Sequence, residues 1–280
     1  MIDICTVVYR EEIPLIQHQA QSLIRYARTL GIRNIYVVIN DEDDLAAEIN
    51  PVWYQEFAPF VCVLPRTAWS AGWNQNGWLS QQLWKMLVAS TSYNVWTLVL
   101  DAKTILVKDL TFDTLFDSQG RARVGYCPIQ PVFEQSKKIT EQLWNIEMQQ
   151  QLGPAGVPFL FHNDTVRLMI ADATVKTRES FPDWFQNQGR LTEFILYSGY
   201  VQMRYGSFDK LYSSEPSVFP VNVCHSEVAS FDRKLAEMNN SQTSSVSIHS
   251  GAWKQLTEQQ RRQYCEYLVS RNIFTAAFMR

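Results

Sequence analysis

The sequence predicts an α/β fold, with a mostly parallel sheet flanked by helices in a single domain spanning residues 1–280. Three observations predict it. Short β-branched runs recur through the N-terminal half, stretches with apolar residues at helical spacing separate them, and polar or glycine-bearing loops punctuate the two. A chain of 280 residues with 46% hydrophobic side chains can also hide the core such a sheet requires, about 75% of the surface its open form exposes.

The first strand is Asp3–Tyr9, followed by a helix over Ile13–Leu30 in which Leu15, Ile16, Leu23, Ile24, Ala27 and Leu30 recur at helical spacing. Gly31 closes that helix. Ile35–Ile39 is the second strand and Phe60–Leu64 the third, with the polar loop Asn40–Asp44 between them. Gly72–Ser90 reads as a loop feeding a helix with Leu79, Leu83, Leu87 and Val88 on one side. Val95–Leu100 is the fourth strand and ends at Asp101. Four buried strands alternating with helices make a parallel sheet the economical assembly.

Beyond residue 101 the pattern changes. Arg123–Cys127 reads as a strand, Ile139–Gln151 as a glutamine-rich helix, and Gly153–Pro158 as a loop before the strand Phe159–His162. Thr165–Ala173, Phe181–Gln188 and Thr192–Arg204 have helical spacing, and Val246–His249 is a late strand. A terminal helix covers Thr257–Ser270, capped by Thr257 with Gln260 three residues on. Asn239–Ser245, rich in Ser, Asn and Gln, reads as a mobile loop. The change of texture near residue 128 divides the chain into a nucleotide-type half, 1–127, and a substrate-facing half, 128–280.

Charge narrows the partners. The 25 basic and 28 acidic side chains give a net charge of −3 and are mixed along the chain, which argues against a broad basic face and against nucleic acid. Cys5, Cys62, Cys127, Cys224 and Cys265 are odd in number, widely spaced and set mostly among apolar residues; they read as buried thiols in a reducing compartment, and no C-x-x-C pair marks a zinc site. Met1 runs directly into Ile2, Asp3 and Ile4 without a basic leader, and no apolar run approaches a membrane span. The expectation is a cytoplasmic protein without a transmembrane anchor.

In open α/β sheets ligands sit beyond the carboxyl ends of the strands. The residues placed there are Tyr9 and Arg10, Asn40 and Asp41, Pro65 and Arg66, and Asp101, Ala102 and Lys103. A carboxylate such as Asp101 can hold a ribose hydroxyl or a divalent ion there; its alternative is a cap or turn residue. Tyr9 can stack on a base or serve as packing. Trp69, Trp73 and Trp78 can line a sugar pocket, although core or interface is the commoner fate of tryptophan. Asp41, Asp43 and Asp44 read as a solvated loop, and His18 and His162 as structural histidines.

The run from Trp96 to Val107, with Asp101, Ala102 and Lys103 at its turn, resembles the strand and D-x-D loop of GT-A glycosyltransferases. Gly72 and Trp73, Gln81 and Gln82, and Lys85 resemble the G-W and Q-Q-x-x-K run of a bacterial and viral branch of these enzymes. Thr192, Glu193, Phe194 and Tyr197 are similar to that branch's [S/T]-E-[F/Y]-x-x-Y segment, and Ser247, Ile248 and His249 to its late S-I-H strand. The likeness spans roughly residues 2–270 and implies a GT-A-like, Rossmann-like domain with a nucleotide-sugar site in residues 1–127.

What the resemblance implies is transfer of a sugar from a nucleoside diphosphate sugar, a UDP-sugar first, to a hydroxyl of a glycan or related acceptor. Tyr9, Lys85, Asp101, Lys103 and Lys254 would bind the donor, and Asp101 with His249 would hold Mn²⁺, with Mg²⁺ as the alternative. Glu193 would face the acceptor and take its proton, giving inversion; it could otherwise favour the start of its helix electrostatically, and under retention it would be only a contact. The motif departs from its family at Lys103, which replaces the second acid: an ammonium cannot ligate a cation, though it can neutralise a diphosphate. A degenerate nucleotide-sugar or glycan-binding protein is the alternative from another class.

Overall fold

The structure is a computed structural model and describes residues 1–68, 77–153 and 156–273. Its elements in chain order begin with β1 (Ile2–Val8), α1 (Ile13–Tyr26), β2 (Ile32–Ile39), β3 (Val61–Leu64), α2 (Gly77–Thr91), β4 (Trp96–Asp101) and β5 (Ile105–Leu106). Next come α3 (Phe112–Leu115), β6 (Tyr126–Pro128), α4 (Glu134–Trp144), β7 (Gln150–Leu152), β8 (Phe159–His162), α5 (Asn163–Thr177), α6 (Phe181–Gln186) and α7 (Glu193–Tyr205). β9 (Pro220–Val223), α8 (Phe231–Met238), β10 (Ser245–Ile248), α9 (Ser250–Trp253) and α10 (Glu258–Ser270) complete the order.

The central sheet runs β3-β2-β1-β4-β8, with β3, β2, β1 and β4 parallel and β8 antiparallel to β4. This is the mostly parallel sheet flanked by helices that the alternating pattern predicts. β1 is buried along its whole length, as expected of a strand covered on both faces. α1 buries Ile13, Ile16, Ala20, Leu23 and Ile24, the stripe its spacing supplies. A second sheet, β5-β10-β9, sits over its own apolar cluster with Phe231, Met238, Tyr264 and Leu268 from α8 and α10. Thr257 caps α10 with Gln260 in the reciprocal arrangement that the sequence predicts.

Three expectations are corrected. The strand expected at Arg123–Cys127 is only Tyr126–Pro128, because Gly125 takes a positive φ of 77° and the preceding backbone bonds to Leu115 and Ser213 instead of to a strand. The helix expected at Ile139–Gln151 is Glu134–Trp144, ended by Asn145 in the left-handed conformation, and the glutamines at 150 and 151 enter β7. The Asn239–Ser245 segment is a loop only in its exposed turn at 239–242: Thr243 donates to the Glu237 carbonyl at 2.7 Å, the Ser244 hydroxyl accepts from the Phe219 amide at 2.8 Å, and Ser245 already belongs to β10. Among the described residues no helix is long and apolar enough to cross a membrane.

Candidate functional site

The parallel register sets Val7 of β1 beside Asp101 of β4, so both strands deliver their ends to one edge of the sheet. After Asp101 the chain turns, with the Thr104 amide donating to the Asp101 carbonyl at 2.8 Å. It then enters β5, which pairs antiparallel with β10 through Ile105 and Val246. Continuing that register past the ladder puts His249 level with the Asp101–Thr104 turn. Gln19 of α1 fixes the turn from beneath: its Nε2 donates to the carbonyls of Asp101 at 2.7 Å and Thr104 at 3.3 Å, while its Oε1 accepts from the Thr6 hydroxyl at 2.8 Å.

α2 supplies the charge that meets Asp101. Gln81 and Lys85, four residues apart, share a helix face. The Lys85 Nζ lies 3.0 Å from Asp101 Oδ1 and 3.1 Å from Glu193 Oε1, and the Gln81 amide is 3.4 Å from the same Asp101 oxygen. Gln82, its amide nitrogen turned toward Glu193, donates to that carboxylate, and the Lys85 ammonium lies 5.4 Å from the centre of the Phe194 ring. The other Asp101 oxygen, Oδ2, accepts from Lys103 Nζ at 3.1 Å. Helix α2, the β4 end with its turn, and the start of α7 thus contribute to one chain of charges, Glu193–Lys85–Asp101–Lys103.

Burial sets the protonation states. It pushes the Asp101 carboxyl up, but the ammoniums of Lys85 and Lys103 outweigh it and hold the group well below the usual carboxylate range. Burial would lower Lys85, yet Asp101 and Glu193 hold it above its ordinary value. Glu193 is raised by burial, which the Lys85 ammonium offsets only in part. Glu12, after β1, is also raised by burial, against the opposing pull of Lys103. His249, exposed at the rim, is lowered by desolvation and by Lys103, with Asp101 opposing.

Glu193 therefore differs from its expected place. As an acceptor's base it would have to meet a hydroxyl, but its side chain is 0% exposed, sealed beneath Lys85 and Gln82. Its position is that of a residue that holds Lys85. It opens α7 one residue past the cap Thr192, whose hydroxyl accepts from the Ile195 amide at 3.4 Å.

The donor set expected for Mn²⁺ or Mg²⁺ does not fit the group either. Both oxygens of Asp101 face lysine ammoniums, the position of the second acid is itself Lys103, and His249 sits beside that same positive charge. Among the described residues no three His, Cys, Asp or Glu side chains are grouped to hold a metal.

The remaining residues sit around this chain of charges. The Tyr9 hydroxyl donates to the Gly77 carbonyl; its phenol is pushed up to about 12, chiefly by burial. A Cβ on Gly77 would come within 3.0 Å of the Tyr9 ring, so the start of α2 and this ring are closely fitted. Asn40 clasps the same place, donating to the Gly77 carbonyl at 2.8 Å and accepting from Ser80 and Trp84. Lys254 is 3.7 Å from Glu11, both exposed, a weak pair that nevertheless sets Lys254 over the chain leaving β1. Trp78 is 45% exposed at the first turn of α2, whereas Gly72, Trp69 and Trp73 lie outside the described residues. His18 is buried, His162 bonds Thr165 at 2.8 Å, and Asp43 and Asp44 engage Thr67 and Arg10 on the surface.

Sequence reasoning missed Gln19 and Glu12. A signal for Gln19 was present: it shares the spacing of Ile16 and Leu23, a polar side chain within an apolar stripe.

Among solved structures, the chain is similar to an active-site mutant of LgtC, at 10% identity over 96% of this chain and 95% of that one, with a TM-score of 0.48. The glycosyltransferase GlyE of Streptococcus pneumoniae TIGR4 gives 14% identity over 98% of this chain and 66% of that one, TM-score 0.47. Mouse xyloside xylosyltransferase 1 gives 10% identity over 90% and 99%, TM-score 0.42. No curated protein matches in sequence. A family model described as a family of unknown function (DUF6492) matches residues 4–245.

Proposed function

Because the chain belongs to DUF6492, a family of unknown function, membership supplies no activity, and we propose one from the site: transfer of a sugar from a nucleoside diphosphate sugar to a hydroxyl acceptor. A UDP-sugar donor and a glycan or related acceptor are the first choices. One observation carries the reading. Asp101 lies in the segment that resembles the D-x-D loop of GT-A glycosyltransferases, Lys85 and Glu193 in segments that resemble one bacterial and viral branch of them, and the three converge in ion pairs of 3.0 and 3.1 Å at the carboxyl edge of a parallel sheet.

The donor's nucleoside would lie between Tyr9 and Asp101, with Asp101 accepting from ribose and Lys103, His249 and Lys254 around the diphosphate. The acceptor oxygen bonds to the anomeric carbon while the bond from that carbon to the diphosphate oxygen breaks, its electron pair staying on the diphosphate. The acceptor's proton passes to the released diphosphate or to water. Glu193 acts at one remove, fixing Lys85 and through it the angle of Asp101, so it is a positioning residue. Charge development on the leaving group is the step the protein can stabilise most, since fixed cations in a partly dry site need no reorganisation.

The test is release of nucleoside diphosphate by the purified protein offered a panel of nucleotide sugars with and without simple glycan acceptors. The expected result is slow donor hydrolysis, faster release with an acceptor, and a loss of about 10²-fold or more in Asp101→Ala. Donor binding without turnover would assign a binding protein instead, and no binding by any donor would overturn the reading.

A further inference from the structure

We propose that Lys103 takes the place of the divalent cation, so that the site binds the diphosphate of its donor through the ammonium of Lys103 and without metal. The inference rests on the donor reading above and concerns how that same site is charged.

Asp101 is the carboxylate that a metal would need, and its two oxygens are 3.0 Å from Lys85 Nζ and 3.1 Å from Lys103 Nζ. A dication approaching this carboxylate meets an ammonium on each of its oxygens; the charges of Glu193, Lys85, Asp101 and Lys103 sum to zero, so a diphosphate is attracted where the outer ammonium of Lys103 lies nearer to it than the carboxylates do. The two lysines are not equivalent. Lys85 is 4% exposed and has Glu193 on its inner side, whereas Lys103 is 11% exposed and lies on a turn pinned by Gln19. Lys103 is thus the outer charge, able to lean from Asp101 toward an incoming anion on its flexible stem.

The titratable groups that feel its charge include Asp101 on its own turn, Glu12 after β1, Cys224 after β9 and His249 after β10. Of the two carboxylates, Asp101 is paired with two ammoniums, so Glu12 is the one whose removal leaves those pairs intact while taking a negative charge away from a diphosphate, which yields a second and opposite expectation. Removing its charge tightens binding, while removing the charge of Lys103 loosens it.

The experiment is calorimetric titration of the full-length protein with UDP, GDP, CDP and ADP, each in EDTA and in saturating Mn²⁺, with the tightest taken forward against its nucleoside. Wild type should bind that diphosphate equally well in both conditions. Lys103→Ala should weaken it by about 10-fold or more while leaving nucleoside binding unchanged, Lys103→Arg should keep metal-free binding, and Glu12→Gln should tighten it. Lys103→Asp restores an acidic pair: the loss of the free Mn²⁺ paramagnetic signal should report bound metal in this variant and not in wild type, and its diphosphate binding should become EDTA-sensitive. Binding by wild type that EDTA abolishes, or Lys103→Ala binding as tightly as wild type, overturns the inference and leaves the transferase reading intact. Failure of every nucleoside diphosphate to bind under both conditions overturns both.

Discussion

Lys85 on α2 and Asp101 at the end of β4 form a 3.0 Å ion pair in which the lysine is 4% exposed, and Glu193 closes the far side of the same ammonium at 3.1 Å. One buried cation is therefore shared by the sealed carboxylate of Glu193 and the part-buried carboxylate of Asp101, from distant parts of the chain. Taking the cation away should be far costlier than the loss of an exposed pair, because Glu193 would be left buried without a cation while Asp101 would keep only Lys103. Lys85→Met is expected to lose about 3–5 kcal/mol of unfolding free energy in urea. Adding Glu193→Gln to Lys85→Met should recover part of that loss, since the stranded charge disappears. A Lys85→Met protein as stable as wild type would mean the pair contributes no net stability.

The same cluster makes stability depend on pH in two opposite directions. The folded-state pKa of Asp101 is depressed, so its contribution is present above the unfolded value of about 3.9 and is lost as pH falls from there toward the folded value. Glu193 is raised, so ionising it costs stability at neutral pH, and stability rises as pH falls through its folded pKa toward the unfolded value of about 4.3. Subtracting each variant from wild type isolates the two contributions. The wild-type advantage over Asp101→Asn should shrink below about pH 4, whereas Glu193→Gln should gain most against wild type at neutral pH. Urea midpoints at a series of pH values check both; the reverse order would contradict the assignment of charges.

The strands and helices that build the sheet were legible because β1, β2 and β4 each carry a short run rich in apolar, mostly β-branched residues and α1 carries an apolar stripe, both of which local spacing encodes. The site was legible only in its residue types. Lys85, Asp101 and Glu193 could be named from motifs, but that they share one ion-pair chain depends on α2 and α7 packing together, a long-range fact. Glu193 shows the difference most sharply: a glutamate just past a threonine cap reads as a favourable charge at the helix start or as a base, and only tertiary contact reveals that it is sealed. The departures at β6 and α4 are local in origin, since Gly125 and Asn145 each adopt a positive φ that bounds an element.

Gly199 carries a prediction about that packing. It lies mid-helix in α7, where α4 crosses, and a methyl at its Cα would run into Thr140 Cγ2, with Met148 Sδ 3.0 Å and Trp144 Cδ1 3.4 Å away. Glycine inside a helix normally costs about 1 kcal/mol relative to alanine, so Gly199→Ala would stabilise an open position. Here overpacking against buried neighbours should win, giving a net loss of about 1–3 kcal/mol. Thr140→Ala removes the clashing Cγ2, and in the double variant most of the loss should return. A Gly199→Ala protein with a raised urea midpoint would show that α4 yields freely.

Gln19 offers the sharpest separation of structure from chemistry, because it touches the site only through backbone. Its amide donates to the Asp101 carbonyl at 2.7 Å and accepts from Thr6 at 2.8 Å, wholly buried. Gln19→Met keeps the volume and removes every polar atom, leaving a buried hydroxyl and the Asp101 carbonyl short of a partner; a loss of about 1–3 kcal/mol follows for each group left unsatisfied. The turn that presents Lys103 should loosen as well, seen as faster hydrogen exchange of the Thr104 amide, whose acceptor is that same Asp101 carbonyl. If instead the Thr104 amide exchanges as in wild type, the turn is held by its own hydrogen bond and by β5, and Gln19 serves the core alone.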